Sequence, residues 1–153
     1  MPTKPDSSPI FRKLLKSDRA VWSQLWAGYL EFYEHELTPE QTELTWQRFF
    51  DQKFNLWAFV AEVDGVVAGI AHCSFTNSTW NKTPDFYLED LFVDPSFRRQ
   101  GLGEFLIESC ADFARESGAR RLHWLTHRDN ETAQKVYRKV ASQSEFIIFE
   151  KTL

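Results

Sequence analysis

Residues 86–118, F-Y-L-E-D-L-F-V-D-P-S-F-R-R-Q-G-L-G-E-F-L-I-E-S-C-A-D-F-A-R-E-S-G, constrain this chain more than any other stretch. Phe86 to Val93 is aromatic and branched, as a strand requires, and Asp94-Pro95 stops it. Leu102, Phe105, Leu106, Cys110, Phe113 and Ala114 then recur at three- and four-residue steps, which predicts a helix closed by Gly118. Between the two lies Arg98-Arg99-Gln100-Gly101-Leu102-Gly103. Glycines let the backbone approach a ligand, and the first turn of a helix offers unpaired N–H groups at the positive end of its dipole. That combination holds phosphate oxygens, and the two arginines add charge. No Gly-Lys-Ser/Thr follows, so this is not a P-loop, and a single Gly-x-Gly pair is not the dinucleotide fingerprint.

The rest of the chain arranges itself around this unit. Residues 1–9 hold three prolines and are expected to form a loose arm, with one domain over 10–153. Ile10 to Leu15 reads as a strand. Ser17-Asp18 is expected to cap a helix through about Tyr33 whose stripe is Val21/Trp22, Leu25/Trp26, Tyr29 and Phe32/Tyr33. Thr38-Pro39-Glu40-Gln41 is a capping box with Pro at the first helical position, so a second helix runs to about Asp51. Trp57–Val63 and Val66–Phe75, joined by Asp64-Gly65, predict a β-hairpin. A polar loop, Thr76 to Asp85, leads into the opening strand. After the long helix come a strand from Arg120 to Thr126, a helix capped by Asp129 or Asn130 through Val140, and a last strand from Glu145 to Lys151. The order β-α-α-β-β-β-α-β-α-β implies an α/β fold: a central twisted mixed sheet with helices on both faces.

Composition narrows the function classes. With 14 Phe and 6 Trp, the core and any acceptor pocket are expected to be aromatic. Cys73 and Cys110 lack metal-ligand spacing and suit a reduced buried pair, which fits a cytoplasmic protein. No apolar run is long enough to span a membrane, so no membrane partner is expected. Net charge is −4, split as 8 Lys/Arg against 14 Asp/Glu in residues 1–95 and 10 against 8 in residues 96–153. This suits an anionic ligand on the second half and a cationic one facing the first. A nucleic-acid module built on Arg98, Arg99, Arg120 and Arg121 is disfavoured by the negative charge and the lack of a continuous basic stripe.

With order and turn in hand, the chain resembles the GCN5-related N-acetyltransferase (GNAT) superfamily over about residues 10–152. Its acyl-CoA signature [QR]-x-x-G-x-[GA] is matched by Arg98, Gly101 and Gly103, and N-x-x-A-x-x-x-Y by Asn130, Ala133 and Tyr137. The resemblance implies acetyl-CoA as cosubstrate and no metal. It puts backbone at Phe92 and Val93 against the pantetheine amides. The turn amides of Arg99, Gln100, Gly101, Leu102, Gly103 and Glu104 would then lie on the pyrophosphate, with Asn130 also on the cofactor side. Tyr87 to Val93 is similar to diamine N-acetyltransferases. Trp22-Ser23-Gln24-Leu25-Trp26, Tyr29, Phe32-Tyr33 and Ser78-Thr79-Trp80 are similar to a fungal group acting on histone, polyamine or D-amino-acid amines. The chain departs from the pattern after the tyrosine helix, with Val140-Ala141-Ser142-Gln143-Ser144 where many members have Gly-Phe.

Moving an acetyl group to an amine requires that the amine lose a proton, and the leaving thiolate benefits from gaining one. Tyr137 is the candidate acid, because a phenol with a pKa near ~10 is protonated at neutral pH. Glu89 is the candidate base; strict alternation puts it on the face of Leu91 and Val93, and the matching Glu in diamine enzymes has this role. His35, His72, His123 and His127 are weaker candidates, and the four-residue spacing of His123 and His127 does not converge on a strand. Tyr33 and Trp80 are candidate walls for a cationic acceptor, with Glu31, Glu34, Glu36 and Asp85 as attracting charges. The expected activity is acetyl transfer from acetyl-CoA to a primary amine (a polyamine, an amino-acid-like amine or a basic peptide) in a ternary complex. A non-catalytic acyl-CoA-binding regulatory domain is the alternative, and a homodimer is left open.

Overall fold

The structure, a computed structural model, describes residues 8–153, so the expected arm falls largely outside the described residues. Among the described residues five strands form one sheet in the order β1-β2-β3-β4-β5: Ile10–Lys13, Trp57–Val63, Val66–Thr76, Asp85–Val93 and Leu122–His123. The first three pairings are antiparallel and β4–β5 is parallel. Helices α1 (Arg19–Phe32) and α2 (Pro39–Arg48) cover one face, and α3 (Leu102–Glu116) and α4 (Glu131–Val140) the other. Among the described residues no helix is long and apolar enough to cross a membrane.

Local chemistry accounts for the elements. Asp64 and Gly65 both have positive φ, 49° and 80°, so the β2–β3 hairpin closes in the two-residue turn that matches strand twist. Thr38 Oγ1 accepts from Gln41 N at 3.1 Å and Pro39 opens α2, as its sequence predicts. Asp18 is placed before α1, but its carboxylate makes no cap bond to that helix. It accepts from Leu15 N at 2.8 Å and from Arg12 at 2.8 and 3.0 Å. Gly28 carries the close approach of α1 to the sheet, since a Cβ there would sit 2.8 Å from the Phe92 ring.

Two expected strands are not formed as predicted. The fifth is paired only at Leu122 and His123 rather than from Arg120 to Thr126. Glu145–Lys151 forms no strand at all, and its side chains stand in solvent. The physical reason is visible where α4 ends. Helix α3 reverses through Gly118 at φ 82°, which returns the chain to the sheet. Helix α4 ends in Ala141 at φ −153° and ψ 173°, an extended residue with no such reversal, and the segment beyond it passes Trp80, whose ring is 6.3 Å from that of Phe146, without joining the sheet.

Candidate active site

Strand β4 carries the site, and its alternation breaks in the middle. His72 pairs with Asp90 and Cys73 with Leu88, so Glu89 is the extra residue of a β-bulge. Phe86 and Leu88 pack toward α3, and so do Leu91 and Val93; Phe92 packs under α1. The expectation that simple alternation groups Glu89 with Leu91 and Val93 is therefore corrected: the bulge resets the phase and aims Glu89 separately.

Beyond Tyr87 the outer edge of β4 has no strand partner among the described residues, because β5 ends at His123. Where the two strands part lies a small cavity of about 20 Å³ lined by Tyr29, Tyr33, Leu88, Glu89, Leu91, Trp124, Leu125 and Tyr137. That is room for one water molecule. Glu89 keeps contact with solvent, yet partial burial raises its carboxyl pKa, helped by the charge of Asp90 and opposed by His72. Tyr137 packs edge-on against Trp124, with ring centroids 5.4 Å apart. Burial raises its phenol pKa, Tyr33 adds to this, and a hydrogen bond with Thr126 opposes it. Glu89, Tyr137 and Tyr33 are thus brought together. Trp80 is not: it is 78% exposed and outside the cavity, with Phe146 6.3 Å away.

In the sequence Tyr29 stands out only as part of an apolar stripe, and nothing local marks Asp90 as its partner. Behind the cavity wall Trp22 Nε1 donates to His72 Nε2 at 3.1 Å, and His72 Nδ1 lies 2.9 Å from Asp90 Oδ2. An indole nitrogen only donates, so His72 Nε2 accepts and the ring proton sits on Nδ1, facing the carboxylate. Tyr29 hydrogen-bonds the same carboxylate, and burial first, then Asp90, pushes its pKa up. His72 is therefore a buried link rather than a free base. His123 stacks on Tyr87, with centroids 5.1 Å apart, and its pKa is lowered mainly by burial. His127 lies 3.6 Å from Asp129. Asp85, expected to attract a cation, is buried and bound by Arg120 at 3.1 Å and Arg121 at 2.9 Å. Cys73 and Cys110 are free, buried thiols with sulfurs 3.9 Å apart.

The glycine turn adjoins the far end of β4. Arg99 and Gly101 have φ of 64° and 77°, and nothing lies within 4 Å of a Cβ placed on Gly101 or Gly103. The first helical bond runs from Phe105 N to Gly101 O, which leaves Leu102, Gly103 and Glu104 N–H at the open start of α3. The Leu102 side chain is buried, and Arg98 Nε donates to Val93 O at 3.2 Å, pinning the turn to the strand. A cleft of about 270 Å³ beside it is lined in part by Gly28, Phe92, Asp94, Pro95 and Arg98. This open-faced, N–H-rich turn fits an anionic phosphate group. Asn130 caps α4 through Ala133 N at 3.4 Å, and Gln100 lies within the turn.

A family model described as the acetyltransferase (GNAT) family matches residues 19–141. A D-amino-acid N-acetyltransferase of Saccharomyces cerevisiae is 30% identical over 93% of this chain and 89% of its own length. An aminoglycoside N(6')-acetyltransferase of Salmonella typhimurium is 30% identical over 86% and 87%. Among solved structures, AAC(6')-Iy in complex with a bisubstrate analogue, CoA-S-monomethyl-acetylneamine, superposes with a TM-score of 0.74 at 27% identity, covering 96% of this chain and 99% of that one. An aminoglycoside acetyltransferase from an uncultured soil sample shares the fold, with a TM-score of 0.80 at 24% identity over 97% and 98%. With the bulged strand, the parted sheet edge and the glycine turn in this arrangement, the chain belongs to the acetyltransferase (GNAT) family of acyl-transferring enzymes.

Proposed function

We propose that this chain transfers an acetyl group from acetyl-CoA to a cationic primary amine, with Glu89 conducting the amine proton away and Tyr137 protonating the leaving sulfur. The observation that carries the reading is the meeting of Glu89 and Tyr137 on one cavity at the point where β4 loses its neighbour. The turn N–H groups from Arg99 to Glu104 hold the pyrophosphate, with Gln100 and Asn130 beside it, and the free edge at Phe92 and Val93 offers backbone groups to the pantetheine amides. The bound thioester supplies the activated acetyl group. A carboxylate with a raised pKa, next to space for one water, relays a proton from an amine that arrives charged. A phenol held protonated by burial keeps its proton until sulfur leaves.

An amine acceptor is consistent with the relatives, whose names specify a D-amino acid and an aminoglycoside. Tyr29 and Tyr33 give the cavity an aromatic wall that suits a cation, with Asp90 behind it. Trp80, outside the cavity, is not part of this wall. The test is a panel of polyamines, amino acids, aminoglycosides and basic peptides scored by CoA release. Cationic amines turn over best, and the KM of a polycation rises with salt. Neutral or anionic acceptors turning over best, with no salt dependence, would refute it. Acetyl-CoA raises Tm of the wild type, whereas Gly101→Val, which forces a branched residue to positive φ, loses that shift.

A further inference from the structure

The cavity where Glu89 and Tyr137 meet is walled by four aromatic rings, three leucines and a single charged group, the Glu89 carboxylate. A second carboxylate, that of Asp90, is hydrogen-bonded to Tyr29 behind the wall. Burial first, then the Asp90 charge, raises the pKa of Glu89, of Tyr29 and of Tyr33. Helix α1 adds to this negative field. Tyr33 caps its C-terminus, the negative pole of the helix dipole, and its last turn holds no basic residue. Arginines of the flanking segments are engaged elsewhere. Arg120 and Arg121, on the approach to β5, pair with Asp85, and Arg98, beyond the other end of β4, donates to Val93 O. Among the described residues no Lys or Arg lines the cavity.

We propose that the acceptor's reacting amine stands away from any carboxylate, as in an alkylamine, a polyamine or a lysine side chain, and that this cavity rejects the α-amine of a free amino acid of either hand. The inference rests on the amine-acceptor reading above and narrows it. During transfer the nitrogen bonds to the acetyl carbon, the carbon–sulfur bond breaks, one proton leaves nitrogen and one reaches sulfur. The carboxylate of an α-amino acid takes no part in these steps, yet it sits on the carbon next to the reacting nitrogen. With space for about one water beside Glu89, it cannot retreat into bulk solvent. It lies instead among rings and leucines, unpaired, near two carboxylates of its own sign. An unpaired buried charge of this kind lowers kcat/KM by about 100-fold or more. An ammonium meets the opposite field, because aromatic faces and carboxylates both attract it. Both enantiomers bring the same charge to the same place, so handedness does not rescue a free amino acid. A carboxylate several methylenes from the nitrogen reaches solvent, so the side-chain amine of lysine passes the same filter.

The test is CoA release by the full chain with matched acceptors: isoamylamine, leucinamide and both enantiomers of leucine. These share a side chain and differ in what the carbon beside nitrogen carries. Isoamylamine and leucinamide fall within about tenfold of each other in kcat/KM, and both exceed either leucine by about 100-fold or more. Lysine, which offers both kinds of amine in one molecule, is acetylated on Nε and not on Nα, as read by fragment mass. Leu125, which lines the cavity and is 54% exposed, tests the cause. Leu125→Arg supplies a counter-charge and raises the leucine-to-isoamylamine ratio of kcat/KM about tenfold with the Tm held, whereas the uncharged Leu125→Gln leaves that ratio unchanged. Leucine of either hand within tenfold of isoamylamine, or lysine acetylated on Nα, overturns the proposal and leaves the amine reading intact. So does leucinamide as poor as leucine, which puts the discrimination on branching, or a ratio that Leu125→Arg does not move. No CoA release from these acceptors or from the wider panel overturns the amine reading itself, and this inference with it.

Discussion

The two faces of the sheet are built from different materials. Toward α3 and α4 the inner face is apolar: Phe59, Phe86, Leu88, Leu106, Ile107 and Cys110 are buried in one cluster. Toward α1 and α2 the filling is aromatic and polar. Trp22 stacks with Trp26 and tilts onto Trp46 and His72, and the indole–imidazole–carboxylate chain runs through this layer to Tyr29. A close-packed apolar face cannot relocate charge cheaply, so it serves as a support. A face with linked donors and acceptors can set the charge of neighbouring groups, and here it lies behind Glu89. The bulge in β4 lets one strand serve both, because it turns Glu89 out of the alternation that packs Leu88 and Leu91 against α3.

The largest effects test whether the faces are separable. Leu106→Ala removes a fully buried side chain from the α3 cluster, and its unfolding free energy falls by about 3–5 kcal/mol in a denaturant titration. The kcat of the molecules that remain folded is close to wild type. If kcat falls as steeply as stability, the apolar face is part of the active arrangement and the contrast fails. Tyr137→Phe does the reverse. It keeps the ring against Trp124 and removes the hydroxyl with its bond to Thr126, so kcat drops by about 100-fold while the Kd for acetyl-CoA holds and the Tm falls only slightly. Equal losses in kcat and affinity would mark Tyr137 as a packing residue.

Parts of this contrast were legible in the sequence and parts were not, for physical reasons. The hairpin at Asp64-Gly65, the cap at Thr38 and the turn at Gly101 depend on residues within a few positions of one another, and their chemistry is local. Tyr137 and Glu89 came from motif resemblance, and they do share a cavity. The bulge at Glu89 is invisible to a period-two reading, because it exists only in the pairing of β4 with β3. The bond from Trp22 to His72 joins residues fifty positions apart, so neither residue's neighbours announce it. Gly28 looks like a weak point in a helix until Phe92 is seen against it. Glu145–Lys151 has strand chemistry but lacks a partner in one chain, and patterning records a propensity to pair without saying with what.

A smaller effect concerns proton removal. Glu89→Gln deletes the carboxylate but keeps size and polarity. The kcat/KM deficit is about tenfold near pH 7, where the amine is still mostly protonated and needs a proton acceptor. It narrows as pH climbs toward the amine's own pKa of ~10, because solution then supplies the neutral amine. A deficit that stays constant over that range would assign Glu89 to acceptor binding instead.

The smallest effect probes whether the polar face reaches the reacting side. The Asp90 carboxylate is a like charge beside Glu89 and raises its pKa, second only to burial. Asp90→Asn removes the charge but leaves an oxygen that still accepts from His72 Nδ1. The sign follows: without its neighbour's charge, Glu89 ionises more easily, and its pKa falls toward the ordinary carboxylate value. If Glu89 must be ionised to work, the acid limb of the kcat/KM profile moves to lower pH, with the plateau nearly unchanged. Combined with Glu89→Gln, the same substitution shifts nothing, because the titrating group is gone. A limb that moves to higher pH, or moves equally in the double variant, would mean that the limb belongs to another group and that the polar layer acts on the site only by holding Tyr29 in place.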